Sequence, residues 1–441
     1  MELTRTPLLT DLYQLTMLQT YYEQDMTETA VFEFFVRKAP VSRPFYLAAG
    51  LEQVLDWLEQ LRFGEEERQW ISESGLFSDA FADRLAGFRF SGDVDAMPEG
   101  TVFFPDEPII RVTAPLPEAQ LVESRLMNIL HFQTLIATKA ARCMLAAQGR
   151  TLVDFGLRRA HGAEAGLHAA RACYVAGFSA TATCLANALY GIPVTGTMAH
   201  SFILAHDDET EAFRRFARSH PDNVVLLIDT YDTERAAEKV VALAPELAAE
   251  NIPIKAVRLD SGDLAEHARR VRAILDRGGL TETRILASGG LDETSIAEIL
   301  DSGAPVDGFG VGSKVDTSAD IPFLDSAYKL HAYAGRPRFK RSEGKQDVPG
   351  AKQVVRHMQD AGEMAYDVLT LEDEAARGEP LLQPMMRGGR RLAQPETLEA
   401  VRKRAAASLA ALPEEVKRLP DPATYPVRIS DRLNALMKAT T

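Results

Sequence analysis

Ile254-Lys255-Ala256-Val257-Arg258-Leu259 runs without a break into Asp260-Ser261-Gly262-Asp263, and that junction sets the reading of the chain. An apolar run of this length predicts a strand buried on both faces. The polar cluster behind it predicts a loop at the strand's C-terminal end. The same junction recurs along the chain. Thr151–Asp154 leads into Phe155-Gly156-Leu157-Arg158-Arg159, and Ile192–Val194 into Thr195-Gly196-Thr197-Met198-Ala199-His200-Ser201. Arg284–Ala287 leads into Ser288-Gly289-Gly290, and Asp307–Val311 into Gly312-Ser313-Lys314. Because the polar clusters always follow the strand, the chemistry collects at one end of a parallel sheet, where barrels and open α/β sheets hold their active sites.

Working outward, strands are expected at 151–155, 179–182, 192–197, 224–229, 254–259, 284–288, 307–311 and 327–333, the eight that a closed barrel requires. Asn187–Gly191 is too short for a full crossover helix, so the barrel is expected to be irregular. Before it, helical spacing over Leu8–Tyr22, Gly50–Leu61 and Glu65–Ser74 is interleaved with a strand at Thr29–Arg37. A β-rich stretch follows at Phe88–Val112, broken by Pro98, Pro105 and Pro108, and then a long helical run from Glu118 to Gln148. The expected class is α/β, an irregular (β/α) barrel with an additional α+β domain built from the N- and C-terminal segments. The expected domains are 1–115, a catalytic barrel over 116–345, and a C-terminal segment 346–441 that packs with the N-terminal domain.

Composition narrows the partners. The chain has 441 residues and a net charge of −14, and no basic stripe, which argues against nucleic acid. Three cysteines, Cys143, Cys173 and Cys184, fit neither a metal spacing nor a disulfide framework. With no apolar leader and no membrane-length apolar stretch, a cytoplasmic protein is expected.

Individual side chains then suggest a ligand. His200 follows a strand among glycines and hydroxyls, where imidazole serves as base, nucleophile or donor; a packed loop histidine is the bland reading. Arg158 offers a fork for carboxylate or phosphate, with Arg159 and His161 as alternatives. Phe155 could stack on a ring or simply fill core. Arg258 and Asp260 flank Leu259 and so point to one side of the strand, either as a mutual ion pair or toward a ligand whose ribose hydroxyls Asp260 could accept from. Asp263 could hold magnesium or cap the next helix. Gly289-Gly290 and the Gly308, Gly310, Gly312 and Ser313 series make two successive strand-to-helix loops suited to cradle phosphate.

Several segments resemble the nicotinate phosphoribosyltransferase family. They are Thr10-Asp11-Leu12-Tyr13-Gln14-Leu15-Thr16-Met17, Phe132-Gln133-Thr134-Leu135-Ile136-Ala137-Thr138-Lys139, Asp154-Phe155-Gly156-Leu157-Arg158-Arg159, Gly196-Thr197-Met198-Ala199-His200-Ser201, Arg258-Leu259-Asp260-Ser261-Gly262-Asp263 and Ser342-Glu343-Gly344-Lys345. The resemblance runs in order from about residue 6 to beyond 350. It implies a barrel of the type II phosphoribosyltransferase kind that joins nicotinate to phosphoribosyl pyrophosphate, with ATP as co-substrate through a phosphohistidine at His200, and with magnesium. It implies a homodimer with shared sites: Phe155 and the neighbouring subunit's Tyr13 around the pyridine ring, and Arg158 on the phosphate or the carboxylate. Thr197 and Arg258 fall at nicotinate positions and Ser313 at a phosphoribosyl diphosphate position, with Lys329, Lys340 and Lys345 reaching phosphate across the interface. The related nicotinamide enzymes carry an acid where Ala182 stands, which favours nicotinate here. A quinolinate enzyme is usually much shorter. A silent regulatory homologue and an unrelated aldolase-like barrel are the competing classes. The first is opposed by His200, Arg158, Arg258 and Asp260 standing together. The second wants a strand-end lysine, and Lys255 begins its strand.

Overall fold

A computed structural model describes residues 4–38, 40, 42–342, 345–346, 348–419 and 421–440. The chain divides into two compact units, one running from Lys139 to Pro322 and the other formed by the segments on either side of it.

In the unit Lys139–Pro322 six parallel strands lie in the order Ala180–Thr181, Thr151–Asp154, Gly308–Val311, Arg284–Ser288, Ile254–Leu259, Val224–Leu227. The last strand in sequence thus returns beside the first, and Ala180–Thr181 and Val224–Leu227 form the sheet's edges. Helices between strands bury one apolar stripe each: Leu264, Ala268, Val271 and Leu275 in Leu264–Arg277 recur at helical spacing. Three successive crossover helices start on an aspartate whose side chain accepts from the third helical N–H: Asp232 from Arg235, Asp263 from Glu266 and Asp292 from Ser295. These caps hold the loops that lead out of the strand ends. The interior carries small and medium side chains, among them Ala180, Val225, Ala256, Leu286 and Phe309, and keeps a cavity of about 700 Å³.

The eight-strand expectation is corrected here: among the described residues this sheet has six strands. The stretch at 192–197 joins by a single bridge, Val194 to Thr181. Its far side meets the sheet through a side chain, Asn223 Nδ2 donating to the Gly196 carbonyl at 3.4 Å. Pro193, lacking an N–H, cannot extend a ladder there. The stretch at 327–333 belongs elsewhere: Ser326–Tyr333 pairs antiparallel with Thr29–Val36. Alternation in one strand does not say whether its partner is parallel.

The other unit is built on a seven-stranded sheet in which Thr29–Val36 lies between Ser326–Tyr333 and the central strand Pro108–Pro115. Gln383–Arg387 extends the sheet beside Asp93–Ala96. A four-stranded sheet follows from Lys352–Met358, Met364–Leu371, Glu379–Pro380 and Val427–Ile429. N- and C-terminal segments share one core, where Phe34, Leu55, Trp57, Ile110 and Leu126 pack with Val354, Leu369, Met386 and Leu433. The division between units falls within the helix Glu123–Ala146 and again just before Phe323, rather than at the expected 115 and 345. Among the described residues no helix is long and apolar enough to cross a membrane.

Candidate active site

The C-terminal ends of five of the six strands, all but Val224–Leu227, and the 192–197 stretch surround a cavity of about 550 Å³. Eleven expected residues line it together: Phe155, Arg158, Thr197, His200, Arg258, Asp260, Gly289, Gly290, Gly310, Gly312 and Ser313. Each arrives by the route its strand dictates. Phe155 N donates to the Val311 carbonyl at 2.7 Å, extending the ladder one residue past Asp154. The chain then turns into the short helix Leu157–Arg159, which leaves Arg158 and Arg159 exposed at the rim.

Arg258 and Asp260 do share a side, and the contacts separate their tasks. Arg258 donates to Thr197 Oγ1 at 2.9 Å and lies 5.9 Å from the centre of the Phe155 ring. Its Nε is buried without an acceptor. Burial pulls the guanidinium below its usual range while Asp260 and Asp229 act the other way. Arg258 is thus a cation over an aromatic ring with donor capacity left over, the arrangement a planar carboxylate or a phosphate fits. Asp260 accepts from Ser288 Oγ and faces His200, whose Nε2 is 3.9 Å from Asp260 Oδ2. His200 Nδ1 is held by Thr230 Oγ1 at 3.1 Å.

The glycines are structural necessities of this cavity. A Cβ on Gly310 would sit 2.4 Å from the Phe155 ring, and one on Gly289 would sit 2.0 Å from the Asp260 carbonyl. Gly289 also has φ of +98°, a conformation that favours glycine. Asp292 starts the next helix in a capping box with Ser295 and pairs with Lys314 at 2.8 Å, which removes that lysine from the anion inventory.

The remaining expected residues are not among those that line this cavity. Asp263 is the cap of Leu264–Arg277, accepting from Glu266 N at 3.0 Å. Among the described residues no group of three or more His, Cys, Asp or Glu side chains could hold a metal. Tyr13 stands in the first turn of Leu12–Glu23 in the other unit and is 46% exposed beside exposed Leu9 and Leu12. Burial, Glu123 and Asp11 push its phenol up. Lys329 lies over the Phe35 ring in the strand Ser326–Tyr333, and Lys340 is exposed. Lys345 begins the two-residue strand Lys345–Gln346, with its side chain outside the described residues.

Three contributors escaped the sequence reading. Asp229 Oδ2 accepts from Asp260 N at 2.9 Å and Ser261 Oγ at 2.6 Å, while its Oδ1 is buried without a donor. Thr230 and Ser288 orient His200 and Asp260. Ile228-Asp229-Thr230 ends the fourth apolar run in the pattern of its neighbours, so the signal was present.

Sheet order and site together define a class, the barrel-type phosphoribosyltransferases. Residues 136–324 match the family model of the quinolinate phosphoribosyl transferase C-terminal domain. A solved nicotinate-nucleotide pyrophosphorylase from Pyrococcus furiosus superposes with a TM-score of 0.75 at 25% identity, covering 92% of this chain and 96% of that one. Within the class, residues 8–131 and 375–437 match the N- and C-terminal domain models of nicotinate phosphoribosyltransferase. Mycobacterium tuberculosis nicotinate phosphoribosyltransferase pncB2 is 49% identical over 97% of this chain and 92% of its own length. The Bacillus subtilis nicotinate phosphoribosyltransferase is 37% identical over 85% of this chain and 78% of its own. The crystal structure of human nicotinic acid phosphoribosyltransferase superposes with a TM-score of 0.86 at 29% identity, covering 98% and 99%. The chain belongs to the nicotinate phosphoribosyltransferase family.

Proposed function

We propose that this chain joins nicotinate to 5-phosphoribosyl 1-pyrophosphate, giving nicotinate mononucleotide and pyrophosphate, in the cytoplasm, as the entry of nicotinate into NAD. The observation that carries the reading is the convergence of Phe155, Arg258, the glycine loops, Asp260 and His200 on one cavity. In the reaction the pyridine nitrogen forms a bond to ribose C1 while the C1–O bond to pyrophosphate breaks and its electron pair leaves with pyrophosphate. The transition state is cationic at the sugar, so catalysis is positioning plus charge stabilisation. Phe155 stacks on the ring, and Arg258, fixed by Thr197, takes the carboxylate. Backbone N–H groups around Gly289, Gly290, Gly310 and Gly312, with Ser313 Oγ and Arg158, take the phosphates. Asp260 accepts from ribose hydroxyls.

Magnesium is expected with the diphosphate. Such an ion draws mostly on substrate oxygens and water plus one or two carboxylates, and Asp229, with its unpartnered Oδ1, and Asp260 suit that donor set. When bound it neutralises charge on the leaving pyrophosphate. ATP coupling runs through His200: with Nδ1 held by Thr230, Nε2 is the nitrogen left to accept a phosphoryl group, beside Asp260. The active form is a homodimer in which the neighbouring subunit supplies Tyr13, and exposed Leu9, Leu12 and Tyr13 support a partner there.

The test is turnover of labelled nicotinate with phosphoribosyl pyrophosphate, with and without ATP. The expected result is nucleotide formation stimulated by ATP, with nicotinamide poorly used. No nucleotide under either condition overturns the reading. His200→Ala is expected to keep basal transfer and lose the stimulation; equal stimulation in that variant removes the phosphohistidine. Mixing inactive Tyr13→Ala and Arg258→Ala subunits should restore activity if sites are shared, and leaves none if they are not.

A further inference from the structure

The geometry points to a second pair of carboxyl groups, Asp154 and Asp316, sharing one proton beneath the site and thereby positioning the two loops that hold the substrates. The proposal rests on the reading above only for its activity assay. Asp154 is 1% exposed and Asp316 is fully buried. Asp154 ends the strand Thr151–Asp154. Its Oδ1 accepts from Gly156 N at 2.7 Å and its Oδ2 from Thr181 Oγ1 at 2.6 Å. Asp316 ends the short helix Ser313–Asp316, and its backbone N donates to the Gly312 carbonyl at 3.1 Å. Both Asp316 side-chain oxygens are buried and find no donor. Apart from burial, the influence on the Asp316 carboxyl comes from that of Asp154, and both stand against Gly156. The fit is close: a Cβ on Gly156 would lie 2.0 Å from Asp316 Cγ.

Two ionised carboxylates repel strongly in such a place, and burial, the largest influence on both groups, adds to the cost of holding two charges there. One proton resolves the conflict, turning two repelling acceptors into an O–H donor and a carboxylate. Asp154 already accepts two hydrogen bonds that stabilise its charge, so the proton belongs to Asp316. Burial and the Asp154 charge both push the Asp316 carboxyl well up. Facing the pair from the helix Ala163–Ala176 is Cys173, whose thiol burial and both carboxyls push up, so it stays neutral. That helix also carries Glu164, His168 and Arg171. The turn Leu157–Arg159 carries the exposed Arg158 and Arg159, and Lys314 is taken by Asp292. The shared proton therefore ties the loop of Phe155 and Arg158 to the loop of Gly312 and Ser313. Asp154 and Asp316 are positioning residues.

Asp316→Asn keeps a donor toward Asp154 without a proton to lose, and Asp316→Ala removes it. The experiment measures kcat and KM for both substrates from acid to alkaline pH, with Tm in the same buffers. Asp316→Asn is expected within about threefold of the parent in KM near neutrality, and Asp316→Ala raised roughly tenfold or more. In the parent, KM for phosphoribosyl pyrophosphate should climb as pH rises through the pair's raised folded value, and Asp316→Asn should stay flat. The sign for stability follows. A folded-state pKa above the unfolded one means the contribution is present at low pH and is lost as pH rises through the folded value. The parent's Tm should therefore fall relative to that of Asp316→Asn as pH rises. Parallel KM profiles and parallel Tm curves over the whole pH range overturn the proposal, as does Asp316→Asn failing as badly as Asp316→Ala. If Asp316→Ala does not fold, parent and Asp316→Asn still decide. If the parent itself makes no nucleotide, the reaction assignment fails while the Tm comparison still tests the proton.

Discussion

Two arginines, one buried and one half-buried, lie over aromatic rings at nearly the same distance, one in each unit, and they do opposite work. Arg356 is 5.8 Å from the Phe104 ring and Arg258 is 5.9 Å from the Phe155 ring. Arg356 spends its donors internally, on Asp367 at 3.0 and 2.6 Å and on the Val102 carbonyl at 2.9 Å, while Tyr425 completes the Asp367 shell. Burial opposes its charge, and the Asp367 hydrogen bonds and charge, together with the charges of Glu107 and Tyr425, more than offset that and hold the guanidinium up. Arg258 has Thr197 and an unpartnered Nε, and burial pulls it down. A buried charge whose partners lie inside the fold is architecture. One whose partner set is incomplete is waiting for a ligand.

Breaking the architectural member should cost the most stability. Arg356→Ala leaves Asp367 buried and uncompensated, so unfolding free energy should drop by about 3–5 kcal/mol, read by denaturant or thermal unfolding. KM for both substrates should stay put in the folded fraction. The site member should behave in reverse. Arg258→Ala is expected to lower kcat/KM for nicotinate by about 10²–10³ with little change in Tm, and Arg258→Lys should not rescue it, because an ammonium cannot reproduce the fork. A large Tm loss in Arg258→Ala would erase the contrast. Smaller is the effect at Ala182, which lines the same cavity. Ala182→Asp puts a carboxylate beside an acidic substrate, so nicotinate kcat/KM should fall roughly tenfold or more while nicotinamide improves.

The sequence yielded one of these arginines and missed the other. Arg258 stands next to last in an apolar run, where period-two alternation places it with Asp260 and the C-terminal end of a parallel strand makes it chemical. Arg356 lies in an ordinary alternating strand, and its partner Asp367 comes from the next one; only the hairpin register Arg356↔Asp367 joins them. The same limit explains the barrel count. Ser326–Tyr333 has a strand's alternation, but its partner Thr29–Val36 is about 300 residues away in sequence, and no local pattern carries that pairing. Local rules found the rim because its residues stand among the last residues of their own strands or just past them. Asp316 escaped for the opposite reason: it ends a four-residue helix, and its meaning lies entirely in the carboxyl it meets.

The contrast can be drawn most finely inside a single loop, between Asp260 and Asp263. Asp260 faces the cavity, with Ser288 and His200 on it, whereas Asp263 has turned away to accept from Glu266 N. Sequence alone allowed Asp263 to bind magnesium. A cap and a metal ligand respond differently to loss of charge. Asparagine caps a helix about as well as aspartate, so Asp263→Asn should leave both stability and the magnesium concentration for half-maximal rate unchanged. Asp263→Ala should cost about 1 kcal/mol, a loss shared by any capped helix, again with no shift in magnesium dependence. If Asp263→Asn instead needs several-fold more magnesium at unchanged Tm, its carboxylate serves the ion as well as the helix, and the line between spent and waiting charges must be redrawn to put it on the site's side.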